Sequence, residues 1–120
     1  MSNSSSTPPL WNQSVALENV GGDPSDLKDL LQMWIEQVPT LLAEIETAIT
    51  GLEPDRLHLA AHTLKSSLQL FGMDACGEIA EGLEDAGRTR QLQPDEQRGH
   101  QLSQLIQAAQ AEVRAYLASR

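Results

Sequence analysis

Apolar residues recur every three or four positions along most of the chain, the spacing that places them on one side of an α-helix. The longest such stretch, 25–50, carries this series: Leu27, Leu30, Leu31, Trp34, Val38, Leu41, Leu42, Ile45 and Ile49. Similar stretches cover 55–71, 75–90 and 95–118, and a shorter helix is predicted over 11–20. No stretch alternates as a β-strand does. The pattern predicts an all-α fold, an antiparallel up-down four-helix bundle with a short extra N-terminal helix.

Turn and cap residues mark the ends of these stretches. Asp23 followed by Pro24 is typical of an N-cap and a first helical residue. We expect Asp74 to cap the 75–90 helix in the same way, after Gly72 has ended the helix before it. Pro39 falls inside the 25–50 stretch, where it removes one backbone hydrogen bond. Because the apolar series resumes in phase after Pro39, we expect a kink there rather than a break.

Length and composition narrow the class of protein. The 120 residues suit one domain, which we place at 10–120, behind a polar tail at 1–9 that is predicted to be disordered. A net charge of -9 argues against partners such as nucleic acid or an anionic membrane surface. No apolar run is long enough to cross a bilayer, and the start of the chain lacks the features of a signal peptide. The single cysteine, Cys76, lies on an apolar helical stripe and is interpreted as a core residue. We expect a cytoplasmic protein that acts as a monomer.

The third predicted helix has a polar face beside its apolar seam. Five residues spaced to share one side of a helix form this face: His58, His62, Lys65, Ser66 and Gln69. A neutral imidazole at His62 can attack phosphorus through one ring nitrogen while the other nitrogen keeps its proton. The ammonium group of Lys65 can neutralise the oxygens of a transferred phosphoryl group. The face therefore suits a group that accepts a phosphoryl unit.

The residues around His62 also match a known family. The run 60–67, Ala-Ala-His-Thr-Leu-Lys-Ser-Ser, with Phe71 and Gly72 after it, closely resembles the signature of histidine-containing phosphotransfer (HPt) domains. The flanks resemble the family as well, at 17–23 and at Leu83, Glu84 and Arg88. In all, the resemblance extends over about 17–117.

The resemblance implies a phosphorelay carrier rather than an enzyme. In HPt domains the histidine of the signature receives a phosphoryl group from a receiver-domain aspartate and passes it to another receiver. His62 would be this phosphoacceptor, Lys65 would assist it electrostatically, and Glu84 in the next helix would hydrogen-bond and orient its ring. The docking surface would include His58, Ser66 and Gln69. The implied partners are response-regulator receiver domains or a hybrid histidine kinase, and the Mg²⁺ is expected on the receiver, with no cofactor of the chain's own.

Two residues depart from the family pattern. Leu68 stands where the family usually has a small residue, and its place on the apolar seam suggests an effect on packing. Ser66 replaces a frequent glycine, which adds bulk to the docking surface and would narrow the choice of partner.

Other interpretations stay open at this point. The bundle could bind a receiver or another protein without transferring phosphate. His58 and His62, four residues apart, could form half of a zinc site, although that site needs a third ligand and the HExxH pattern is absent. Glu84 could be a solvent-facing acid like Glu78 and Glu81 on the same helix.

Overall fold

The structure, a computed structural model, describes residues 9–93 and 96–119. Within these ranges the chain forms helices and no strand: α1 (Gln13–Asn19), α2 (Pro24–Thr50), α3 (Pro54–Leu70), α4 (Asp74–Arg88) and α5 (Arg98–Ala118). The predicted all-α class is confirmed. Apart from Pro9, the tail predicted to be disordered lies outside the described residues, and so does Asp95, where the last helix was predicted to begin.

The four longer helices pack as an antiparallel bundle. Trp34, early in α2, makes an edge-on ring contact with Phe71, just after α3, at 6.1 Å between centroids. Lys28, in the first turns of α2, donates to the carbonyl of Ser119 after α5 at 2.9 Å. Both neighbours of α2 therefore run opposite to it. Since α4 in turn packs against α3 and α5, the four helices close into a ring.

The core lies along the axis of this ring and is built mainly from aliphatic side chains. Its largest fully buried residues come from every helix of the ring: Leu27, Leu31, Val38, Ile45, Leu57, Leu64, Leu68, Met73, Leu83, Leu102, Ile106 and Val113. Leu68, the departure from the family pattern, is among them, so its extra bulk is taken up by packing. None of the described helices is long and apolar enough to cross a membrane.

The N-terminal end of α2 follows the sequence prediction. The Asp23 side chain accepts a hydrogen bond from the Ser25 N–H at 2.8 Å, and Pro24 is the first helical residue. Pro39 lies on the exposed side of α2, and the helix runs through it without interruption. A proline facing solvent leaves the carbonyl that lost its partner open to water, which is why the helix tolerates it.

The turn between α3 and α4 depends on Gly72. Its φ of +67° lies in the left-handed region, and the Met73 N–H bonds back to the Leu68 carbonyl at 2.8 Å, closing the end of α3. A Cβ at position 72 would lie 2.7 Å from the Cβ of Asn12, so a side chain there would collide as well. The tight turn sets α4 antiparallel to α3 at once, which brings the middle of α3 opposite the second half of α4.

This turn also corrects one sequence prediction. Asp74 was expected to be the N-cap of α4, but it is the first residue inside the helix, and Met73 occupies the cap position without a side-chain hydrogen bond. Met73 is fully buried directly after the Gly72 turn. The helix begins at the next residue, one position earlier than the sequence predicted. The far end of α4 was predicted at Arg90 but lies at Arg88, because Arg90 adopts a left-handed φ of +57° that stops the helix.

The short helix α1 closes one end of the bundle. The Asn12 side chain caps it by accepting from the Val15 N–H at 3.1 Å. Its last residue, Asn19, donates to the Leu70 carbonyl at the end of α3 at 2.9 Å. Trp11, just ahead of α1, packs edge-on against Tyr116 of α5 with 5.3 Å between ring centroids. The extra N-terminal helix is thus present and attached to both α3 and the end of α5.

Candidate functional site

One carboxylate on α4 joins two residues of the polar face on α3. Glu84 Oε2 lies 2.8 Å from His62 Nδ1, and Glu84 Oε1 lies 2.6 Å from Lys65 Nζ. The two contacts use different oxygens, so neither competes with the other. The structure therefore brings together the three residues to which the sequence assigned chemical roles.

The charges of this cluster follow from its geometry. Burial alone would raise the pKa of Glu84, but hydrogen bonds from Lys65 and then from His62 outweigh burial and hold it below the usual value. The hydrogen bond to Glu84 raises the pKa of Lys65 in turn. At neutral pH, Glu84 is therefore an anion and Lys65 a cation.

The ion pair fixes which nitrogen of His62 faces outward. An ionised carboxylate can only accept a hydrogen bond, so Nδ1 carries the proton and donates it to Glu84. In the neutral ring the lone pair is then on the other nitrogen, Nε2. The His62 side chain is 55% exposed, against 12% for Glu84 and 17% for Lys65. The cluster thus presents one nucleophilic nitrogen to solvent and keeps the groups that orient it inside.

His58 lies one turn before His62 and also contacts Glu84. Its Nδ1 is 3.3 Å from the backbone carbonyl of Glu84, and because a carbonyl can only accept, His58 Nδ1 is the donor. The two imidazole planes are 18° apart, with 6.3 Å between their centroids. One residue of α4 therefore orients both histidines, His62 through its side chain and His58 through its main chain.

The close approach of α3 and α4 at this point requires Gly87. A Cβ at position 87 would lie 2.7 Å from the His58 backbone nitrogen and 2.6 Å from the Pro54 carbonyl oxygen. Both are main-chain atoms, which cannot move aside as a flexible side chain can. Gly87 is one turn beyond Glu84, so the spacing that it permits is the spacing at which Glu84 reaches His58 and His62.

Two hydroxyl groups beside His62 fold back against α3. Ser66 Oγ donates to the His62 carbonyl at 3.1 Å, and Thr63 Oγ1 donates to the Leu59 carbonyl at 3.0 Å. Each hydroxyl is thus bonded within its own helix instead of standing out from it. The Ser66 side chain therefore protrudes less from the docking surface than expected when serine replaces glycine.

Leu59 is the most exposed of the large apolar residues on this surface. Its side chain is 67% exposed, and it lies three residues before His62 on α3. Gln69, the last residue of the predicted polar face, is exposed and lines a shallow groove with Glu78 and Glu81 of α4. Gln69 therefore lies on the predicted face, two turns away from His62.

Sequence reasoning did not single out Leu59 or Gly87. For Leu59 the signal was present: it is apolar but falls between the seam positions Leu57 and Ala61, so it has no place in the core. Gly87 could not be identified from the sequence in this way, because closeness to a particular backbone depends on how two helices pack.

A metal ion was the alternative use of His58 and His62. Within residues 9–93 and 96–119, no group of three or more metal-ligating side chains is placed to hold one. The third side chain near the pair, Glu84, is bonded to His62 Nδ1 and to Lys65.

Comparison with known proteins agrees with this geometry. A family model described as the Hpt domain matches residues 29–112, a span that contains His62, Lys65 and Glu84. Comparisons with curated proteins and with solved structures gave no significant match. Since the family model covers well over half of the chain, and the fold is the helical bundle expected of it, the chain belongs to the Hpt domain family.

Proposed function

We propose that the chain is a phosphorelay carrier that accepts a phosphoryl group on His62 Nε2 from one receiver-domain aspartate and passes it to another. Membership of the Hpt family places it in histidine phosphotransfer within two-component signalling. The observation that carries the finer proposal is the arrangement at Glu84: an exposed imidazole whose Nδ1–H is held by an ionised, largely enclosed carboxylate, which leaves Nε2 available for attack.

The transfer step balances with the groups present. The Nε2 lone pair attacks phosphorus, the bond between phosphorus and the aspartyl oxygen breaks, and its electron pair stays on the partner's carboxylate. The His62 ring gains positive charge while Nδ1 keeps its proton. Glu84, 2.8 Å from Nδ1, stabilises that charge as it develops. Reversal of the same step returns the phosphoryl group to a receiver.

Lys65 makes this use of a carboxylate possible. An unpaired anion at Glu84 would repel the incoming phosphoryl group, which is itself negatively charged. The Lys65 ammonium at 2.6 Å from Glu84 Oε1 offsets that repulsion and keeps the carboxylate in place. Lys65 therefore already offsets the charge of Glu84 before a partner binds.

The partner must cover the surface around His62 for the phosphorus to reach Nε2. Leu59 and Ser66, each about one turn from His62, then fall inside the contact, with His58 beside them. Leu59 offers apolar area, and Ser66 has its hydroxyl turned away. We take the partner to be a receiver domain that brings its own Mg²⁺, while this chain contributes no metal and no autonomous kinase or hydrolase activity. A cytoplasmic location and a monomeric state stay predictions.

The direct test is phosphoryl transfer from a labelled, phosphorylated receiver domain. We expect the chain to acquire phosphate that is labile in acid and stable in base, as phosphohistidine is. His62→Gln should acquire none. His100→Gln, which replaces an exposed histidine on α5, should be labelled like the wild type.

Mapping the label completes the test. Phosphate found on His62 Nε2 supports the proposal. A wild-type chain that stays unlabelled across a panel of receivers, yet binds one of them, would instead identify a docking module without transfer.

A further inference from the structure

We propose that His58 is a second ionisable group of the phosphoryl site, which takes up a proton from solvent when His62 carries the phosphoryl group. The inference rests on the proposed function of His62. It concerns a residue for which the sequence suggested no more than a contribution to docking.

The geometry of the two rings carries the proposal. Both imidazoles turn Nδ1 toward Glu84, one to its carbonyl and one to its carboxylate, at 3.3 and 2.8 Å. The planes are 18° apart and the ring centroids are 6.3 Å apart, so the two rings lie side by side. Since Nδ1 of each ring is used by Glu84, a phosphoryl group on His62 Nε2 is added next to the His58 ring.

The charge of the site calls for such a group. Before transfer, the charges of Glu84 and Lys65 cancel each other, and each imidazole donates from Nδ1. The transferred phosphoryl unit brings one net negative charge. A proton on His58 Nε2 restores neutrality. At a separation of about 6 Å in a largely aqueous setting, attraction between the protonated ring and the phosphoryl group should raise the proton-binding constant of His58 roughly three- to tenfold.

The other basic groups near His58 are already paired. Each lies on α3, on α4 or just after α4 and is joined to a carboxylate in these pairs: Lys65 with Glu84, Arg56 with Glu44 of α2, Arg88 with Asp85, and Arg90 with Asp55. The acids in this region are the carboxylates of those pairs together with Glu53, which also contacts Arg56, and Glu81, whose charge acts on Lys65. Among the described residues, His58 is a half-buried basic side chain within one turn of His62 that forms no ion pair with a carboxylate.

Histidine ring titration measured by NMR tests the inference on the wild-type chain. The chain is phosphorylated with phosphoramidate, a small donor that needs no docking partner, and each imidazole is followed between pH 5 and 9. We expect the titration midpoint of His58 to move to higher pH by about 0.5–1 unit when His62 is phosphorylated, the range that a three- to tenfold effect implies. His100, on the exposed face of α5, is the internal control and should not move.

A second measurement tests the consequence for transfer. The distribution of phosphoryl group between the chain and a receiver is determined at pH 6 and pH 8 for the wild type, His58→Gln and His100→Gln. Between pH 8 and pH 6, the equilibrium constant for transfer to this chain should rise about three- to tenfold more in the wild type and in His100→Gln than in His58→Gln.

The outcomes separate the two proposals. Labelling of His62 with no movement of the His58 midpoint would overturn the inference and leave the carrier function standing. Failure of the receiver to label His62, or phosphorylation of His58 in its place, would overturn both.

Discussion

The His62 ring is exposed on one edge and anchored on the other, because Glu84 lies 2.8 Å from Nδ1 while its own side chain is only 12% exposed. The ring cannot rotate without giving up that hydrogen bond. The orientation of the His62 ring is therefore set by a residue that has little contact with solvent.

Glu84→Gln should slow phosphoryl transfer to His62 by roughly 10- to 100-fold, the range found when the hydrogen-bond partner of a metal-binding histidine is replaced, which we apply to His62. A glutamine can still accept from Nδ1 but carries no charge to stabilise the positive ring. Rapid-quench measurement of transfer from a labelled receiver gives the rate. Glu78→Gln, an exposed acid on the same helix, is the control and should keep the wild-type rate. Equal rates for the two variants would contradict the role of Glu84.

The Glu84–Lys65 pair predicts how stability depends on pH. The pKa of Glu84 is lowered in the folded chain, so its contribution is present above the unfolded value of 4.5 and is lost as pH falls through the folded value. The pKa of Lys65 is raised, so its contribution is present below 10.5 and is lost as pH rises through the folded value. In urea unfolding at pH 7, Glu84→Gln should unfold at a lower urea concentration than the wild type. That difference should close as the pH is lowered below 4.5; a difference that does not change with pH would mean that the charge is not its source.

Gly87→Ala should destabilise the fold and impair transfer together. Its Cβ would press on the backbone of His58 at 2.7 Å, so α4 must move away from α3, at a cost of about 1–3 kcal/mol. Gly77→Ala, on the same helix, has no atom within 4 Å of the new Cβ and should stabilise α4 by up to about 1 kcal/mol. Thermal or urea unfolding of both variants checks this contrast, and it fails if Gly87→Ala is as stable as the wild type.

Cys76 should be unreactive in the folded chain. It is fully buried, and that burial, with a smaller contribution from the charge of Glu112, raises the pKa of its thiol to about 11. At pH 8 the thiolate is then only on the order of 0.1% of the molecules. An aromatic disulfide reagent should label the native chain very slowly and the urea-unfolded chain stoichiometrically. Equally fast labelling of both would contradict the interpretation of Cys76 as a core residue.

Leu59→Asp should weaken receiver binding without unfolding the chain. The leucine is 67% exposed, so the fold does not depend on burying it, whereas a partner covering His62 would bury it. We expect a loss of about tenfold in affinity, the order found for a contributing interface residue. Ala108→Asp adds the same charge on an exposed position of α5, across the bundle from α3, and should bind as the wild type does. Binding is measured by calorimetry, and an equal effect of the two changes would point to net charge alone.

Much of the fold could be predicted because local patterns decide it. The apolar spacing identified each helix, and Asp23 with Pro24 marked the start of α2 to within a residue. The misplaced cap at Asp74 and the early end of α4 have a common cause, since both depend on left-handed residues at Gly72 and Arg90. Arginine is not a residue from which that conformation is expected.

The candidate site could be predicted only in part from the sequence. The phase of α3 places His62 and Lys65 on one face, but it does not say which acid of α4 will meet them. Glu78, Glu81 and Glu84 share that helix, and only the resemblance to HPt domains favoured Glu84. The packing of α3 against α4 determines which of these acids contacts His62, and the spacing of residues along one helix does not contain that information.

The approach of Gly87 to the backbone of His58 has a consequence for how small a piece of this protein could be assayed. A peptide that copies residues 54–72 would carry the whole sequence signature, yet neither of its imidazoles would have a partner for Nδ1. Transplanting the signature into another helical scaffold would meet the same obstacle unless the scaffold offered a second helix without a side chain at the crossing. The orientation of both histidines depends on two helices held at one distance.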